Sequence, residues 1–177
     1  MSRILIVAAH PDDDILGCGA TIAKHSEKGD DISILILGKG IASRYEKNDS
    51  KKVYSEQQVL YSEAKKAACI VGATDLKILD FPDNSFDTVS FLDIIKEVES
   101  FIKEFQPEIV YTHHASDLNI DHQLTFRAVL TATRPTQNFV LKNCIPLKFH
   151  LQLNGPLVNY QLLFRQIILL ILILLWK

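Results

Sequence analysis

The sequence predicts an α/β protein: a Rossmann-like, doubly wound parallel sheet of order 3-2-1-4, with room for a fifth strand, between two helical layers. Three observations lead there. Short aliphatic runs alternate four times with longer segments of helical periodicity. The first run, Arg3 to Ala9, is apolar almost throughout, as a strand covered on both faces must be. Glycine or proline punctuates most of the helical segments at their ends.

Taken in order, Arg3 to Ala9 is the first strand. Ile15 to Lys28 follows as a helix, with Ile15, Leu16, Ile22 and Ala23 at helical spacing and Gly29 at its end. Ile32 to Leu37 is the second strand, Val53 to Val71 a helix closed by Gly72, and Leu76 to Phe81 the third strand. The third helix runs from about Val89 to Phe105, with Val89, Leu92, Ile95 and Ile102 on one stripe and Pro107 beyond it. Ile109 to Thr112 is the fourth strand, and Gln123 to Thr133 a helix stopped before Pro135. In such a sheet the chain reverses its winding between strands one and four. The loops after those two strands therefore meet at the crevice where ligands bind.

Composition narrows the function. With 177 residues, 47% of them apolar, the chain has room for one core. A formal charge of -2 argues against a nucleic-acid partner. Cys18, Cys69 and Cys144 are odd in number and form no CxxC pair, so reduced thiols are expected. Ile4 to Ala9 is too short, and too acidic downstream, for a signal peptide, so the expected location is cytoplasmic. All 21 acidic residues precede His122, and the last 56 residues hold 6 basic residues and no acid. The run from Ile167 to Trp176 is ten apolar residues, short of the roughly 17–25 that span a bilayer. Membrane contact through this tail is accordingly a minor reading. Self-association through its apolar surface, giving a homo-oligomer, is left open.

The chemistry concentrates in the two converging loops. After strand one comes His10-Pro11-Asp12-Asp13-Asp14, where a tight turn lets the imidazole of His10 and the carboxylate of Asp13 face one point. After strand four comes His113 to His122, in which His122 offers a third ligand. Two histidines and one carboxylate leave an open position on tetrahedral zinc, the pattern of a catalytic site. Iron or manganese would accept the same ligands. Asp12, beside the ligand Asp13, is the candidate general base for a water acidified by the metal. Asp121 has two candidate roles: N-cap of the fourth helix, or partner that orients a ligand imidazole.

At these residues the chain resembles the LmbE/PIG-L family of zinc-dependent N-deacetylases. Ala9-His10-Pro11-Asp12-Asp13-Asp14 looks like the family's AHPDD(E/D) motif, and Asn119-Ile120-Asp121-His122 like its second motif. The resemblance implies zinc on His10, Asp13 and His122, Asp12 as general base, and deacetylation of an N-acetylated amino sugar or glycoconjugate. It also makes Gly38 to Arg44 a substrate loop anchored by Arg44, whose competing role is a surface ion pair with Glu46. Many members place a histidine where this chain has Asn119, to stabilise the oxyanion. Asn119 donates a hydrogen bond without charge, and His113 or His114 would supply a cation unless each is a strand-end imidazole bonded to backbone.

The family pattern extends over residues 1–141. Residues 142–177 form the acid-free apolar tail, expected to be an altered or frameshifted terminus. The alternatives are a catalytically inactive metal-binding remnant of the fold and a nucleotide-binding domain. For the latter, Gly17-Cys18-Gly19 lacks the GxGxxG spacing and Gly38-Lys39-Gly40 lacks the rest of a phosphate loop. Asp80 and Asp83, flanking Phe81-Pro82, are expected in a turn; His25 is expected on the exposed side of its helix, and His150 lies in the tail.

Overall fold

The computed structural model describes residues 1–41, 50–135 and 143–146. Their strands are β1 (Arg3–Ala8), β2 (Asp31–Gly38), β3 (Asp75–Phe81), β4 (Ile109–Thr112) and β5 (Asn143–Pro146). The helices are α1 (Asp13–Glu27), α2 (Ser50–Val71), α3 (Phe91–Phe105) and α4 (Ile120–Ala132), with a 3-10 turn at Phe86–Thr88. The strands form one sheet of order β3-β2-β1-β4-β5, and every neighbouring pair is parallel. This is the predicted α/β architecture, with the fifth strand in place beside β4. The expected boundary at 141/142 falls among residues outside the described set. So do Arg44, Glu46, His150 and all of 147–177.

Side chains alternate across the central strands and divide the core in two. Ile4, Ile6 and Ala8 of β1, with Ile32, Ile34 and Ile36 of β2, pack against α1 and α2 through Ile15, Cys18, Ile22, Ala67, Ala68 and Val71. Leu5, Val7 and Ala9, with Leu35 and Leu37, pack on the other face against Ile94, Val98, Phe101, Ala128 and Val129 of α3 and α4. Both faces of β1 and β2 are thus covered, which is why their sequences show no polar alternation.

The helices depart from the sequence reading in instructive places. α1 begins at Asp13, two residues earlier than the periodicity suggests, because Asp13 and Asp14 complement the positive end of the helix dipole in its first turn. α4 likewise begins at Ile120, capped by Asn119, whose side chain accepts from Asp121 N. α3 buries Ile94, Ile95, Val98, Phe101 and Ile102, so Leu92 of the expected stripe is exposed instead, and Val89 is extended backbone. His25 is also not free on the surface. Its Nδ1 lies 2.8 Å from Asp30 Oδ2 and its Nε2 3.0 Å from Tyr111 Oη, tying the end of α1 to β4.

Two glycines mark where β2 passes the first loop. A Cβ on Gly38 would stand 2.9 Å from Ala9 O and 3.1 Å from the Phe86 ring; on Gly40, at φ +66, it would stand 2.9 Å from Pro11 Cδ. Only glycine permits this approach. Gly38→Ala is therefore expected to cost about 1–3 kcal/mol by overpacking, measured as a lower urea midpoint with an unchanged slope.

Candidate metal centre

The two polar loops meet where the winding reverses. β1 delivers His10 and the turn into α1, β4 delivers His113 and the loop into α4, and β1 and β4 are paired neighbours. The centre of the cluster is Asp13 Oδ2. It accepts from His10 N at 2.9 Å, and three ring nitrogens stand around it: His10 Nδ1 at 3.4 Å, His122 Nε2 at 3.2 Å and His113 Nε2 at 3.6 Å. Donor atoms of His10, Asp13 and His122 all lie within 4.8 Å of one another. Tetrahedral zinc, with bonds of about 2.0–2.1 Å, separates its ligands by about 3.3 Å. The two contacts of 3.4 and 3.2 Å to Asp13 match that spacing, so the three residues fit a zinc-sized cation.

Each of the two outer imidazoles has a second carboxylate on its far nitrogen. His10 Nε2 is 3.0 Å from Asp121 Oδ2, with Asp83 Oδ1 at 3.6 Å. His122 Nδ1 is 3.0 Å from Asp117 Oδ2. Such partners set the ring orientation and tautomer of a metal-binding histidine. Asn119, not Asp121, caps α4, and the Asp121 carboxylate faces His10 instead. Its other oxygen, Oδ1, accepts Phe86 N at 2.9 Å, which leaves the fully buried carboxylate satisfied on both sides.

The electrostatics follow from crowding acids and imidazoles together. Burial works against charge on His10, but its bonds to Asp121 and Asp13 outweigh that and raise its pKa to about 10. Asp13 is buried too, yet His10 and His122 hold it well below the usual carboxylate range. Burial opposes charge on His122 as well, and Asp13 and Asp117 prevail to raise its pKa. Burial and the neighbouring Asp13 charge push Asp14 up to about 7. The cluster attracts positive charge, whether protons or a cation.

His113 differs. Burial lowers its pKa to about 4, against the pull of Asp13. Its Nε2 accepts Ala9 N at 2.9 Å, so the ring is neutral with its proton on Nδ1. His113, Asp117 and His122 form a second close group of donor atoms, but the His113 lone pair is already engaged by the backbone. His114 is bonded locally: its Nδ1 lies 2.7 Å from Ser116 Oγ and accepts Ser116 N at 3.2 Å. Both histidines thus take the backbone-bonded alternative. Asn119 Oδ1 accepts Asp121 N, and its Nδ2 donates to Asn84 Oδ1 at 3.1 Å.

Sequence reading missed Asp117, Asn84 and Phe86, and placed Asp83 in a plain turn. Asp117 carried one usable signal, its position on the same short loop as His122. Phe86 carried none: it is fully buried, 5.8 Å between ring centroids from His10, at the start of a 3-10 turn with no periodicity around it.

Asp12 precedes α1 with φ +148 and ψ -28, a conformation open to glycine and strained for any other residue, and its side chain does not cap the helix. Such strain persists where surrounding contacts enforce it. Asp12→Gly is expected to raise the unfolding free energy by about 1 kcal/mol with stoichiometric metal uptake retained, measured by urea titration and metal analysis.

Comparison with known proteins places this site in a family. Residues 5–133 match the PIG-L family model, described as GlcNAc-PI de-N-acetylase. The uncharacterized deacetylase YaiS of Escherichia coli (strain K12) is 32% identical over 136 residues, covering 74% of this chain and 68% of that protein. Among solved structures, the 4-carboxy-2-hydroxymuconate hydratase GalB from Pseudomonas putida KT2440 matches with 25% identity and a TM-score of 0.64, over 75% of this chain and 56% of that one. N,N'-diacetylchitobiose deacetylase from Pyrococcus horikoshii shares the fold at 18% identity, with a TM-score of 0.72 over 94% of this chain and 68% of that one. The chain spans between two fifths and about two thirds of the length of the curated proteins it matches. With the family model covering most of the described residues, and both motif loops inside it, the chain belongs to the PIG-L family.

Proposed function

We propose that this chain is a metal-dependent hydrolase that removes the acetyl group from an N-acetylated amino sugar or glycoconjugate. The observation that carries the reading is the convergence of His10 Nδ1 and His122 Nε2 on Asp13 Oδ2 at 3.4 and 3.2 Å. Family membership supplies the reaction class, and the description of the family as a GlcNAc-PI de-N-acetylase supplies the sugar. The hydratase with the same fold provides a second reading, addition of water to a carbon–carbon double bond.

His10, Asp13 and His122 would hold a divalent cation, zinc by preference, which when bound would supply Lewis-acid polarisation of the amide carbonyl and a more acidic water. Asp12 takes the proton from the attacking water and returns it to the departing amine nitrogen. The strained backbone at Asp12 supports that role, since helix formation does not explain it. Asp121 keeps His10 oriented. Asn119 Nδ2, with one hydrogen donated to Asn84 Oδ1, has a second to donate to the developing oxyanion.

His113, neutral and buried, contributes no charge and lines the inner side of the site. His114 Nδ1 is an acceptor for Ser116 N, which leaves Nε2–H as a donor toward a sugar hydroxyl. Arg44, outside the described residues, is the proposed anchor for the sugar. No helix among the described residues is long and apolar enough to cross a membrane.

Zinc at a hundredfold excess over its Kd is expected to stabilise the chain by about 2.7 kcal/mol, reversed by chelation. The loaded protein is expected to release acetate from N-acetylglucosamine derivatives. Zinc binding without acetate release would favour the inactive remnant, and hydration of an unsaturated dicarboxylate the second reading. A melting shift with NAD or ATP, and none with zinc, would favour a nucleotide site. Asp12→Asn is expected to keep one zinc per chain and lower kcat by about 100- to 10,000-fold; unchanged kcat would remove Asp12 from the mechanism.

A further inference from the structure

The loop between β4 and α4 is pinned around one residue. Asp117 N donates to His114 O at 3.1 Å, Asp117 Oδ1 accepts Asn119 N at 3.0 Å, and Asp117 O accepts Gln123 Nε2 at 2.6 Å. With its backbone and one carboxylate oxygen held in this way, the other oxygen is left at a set position, 3.0 Å from His122 Nδ1. That contact sets a carboxylate charge against the imidazole. The opposite nitrogen of the same ring faces Asp13 Oδ2 at 3.2 Å. His122 is therefore gripped between two carboxylates, one on each nitrogen.

We infer that Asp117 is a positioning residue for the cation: its carboxylate fixes the orientation of His122 and strengthens His122 Nε2 as a donor, without itself binding metal. The inference rests on the proposed metal-dependent reading of the site. The competing arrangement, a second cation held by His113, Asp117 and His122, has its donor atoms within 4.8 Å of one another. It requires a lone pair that His113 has committed to Ala9 N, and the ring of His113 stacks on that of His122 at 4.0 Å and 24°, so their in-plane lone pairs run side by side and do not converge. One cation per chain follows.

The test uses the full chain titrated with zinc alone against a chromophoric chelator. In Asp117→Asn the side-chain oxygen keeps its bond from Asn119 N, so the turn survives, while an amide group replaces the charge facing His122. Zinc affinity is expected to fall about 10- to 100-fold, with one zinc per chain and only a small fall in the melting temperature of the metal-free protein, from the lost Asp117–His122 ion pair. Asp93→Asn, an equal loss of charge on α3, is expected to leave affinity unaltered. Equal affinity in Asp117→Asn and the parent would overturn the inference, as would two zinc ions per parent chain. A fall in metal-free melting temperature with affinity retained would make Asp117 purely structural, and so overturn it as well. A parent chain that binds no zinc at all would instead remove the metal-dependent reading on which the inference stands.

Discussion

One carboxylate oxygen, Asp13 Oδ2, joins the two halves of the molecule's chemistry. It belongs to the first turn of α1, yet its surroundings come from the backbone of His10 and from imidazoles on both sides of the β1–β4 junction. A buried anion of this kind is costly unless positive charge or donors compensate it. Here part of the compensation comes from His122, more than a hundred positions away, so the loop geometry depends on the sheet being assembled in the right order. Had β1 and β4 not been neighbours, His122 would have had no route to Asp13.

The bracing is crossed. Asp121, adjacent in sequence to His122, orients His10 from the other loop, while Asp13, adjacent to the His10 turn, faces His122. A third segment enters through Phe86, whose N–H donates to Asp121 and whose ring packs beside His10, and through Asn84, which accepts from Asn119. Three loops at the carboxyl ends of β1, β3 and β4 therefore share one network. Networks of this type restrict side-chain rotation because their members are bonded to one another across separate loops.

The same neighbourhood stores strain. Asp12 at φ +148 and Ile41 at φ +65 both occupy backbone regions unfavourable to their side chains, and Gly38 and Gly40 sit where no Cβ would fit. The end of β2 and the residues after it approach the first loop closely, Gly38 beside Ala9 O and Gly40 beside Pro11. Elsewhere the described residues pack as two apolar layers against well-buried central strands.

From the residues alone, the α/β class, the order of the first four strands and the convergence of His10, Asp13 and His122 were legible. The reason is that apolar periodicity reports which faces are buried, and the winding rule then fixes which loops are adjacent. The starts of α1 and α4 were not legible, because acidic and capping residues extended them beyond their apolar stripe. Nor were the partnerships of Asp117, Asn84 and Phe86, and for Asp121 two roles stood open. A carboxylate in a loop has the same composition whether it faces water or an imidazole; only the folded chain, by setting one oxygen 3.0 Å from His122 Nδ1 and another 3.0 Å from His10 Nε2, decides between them.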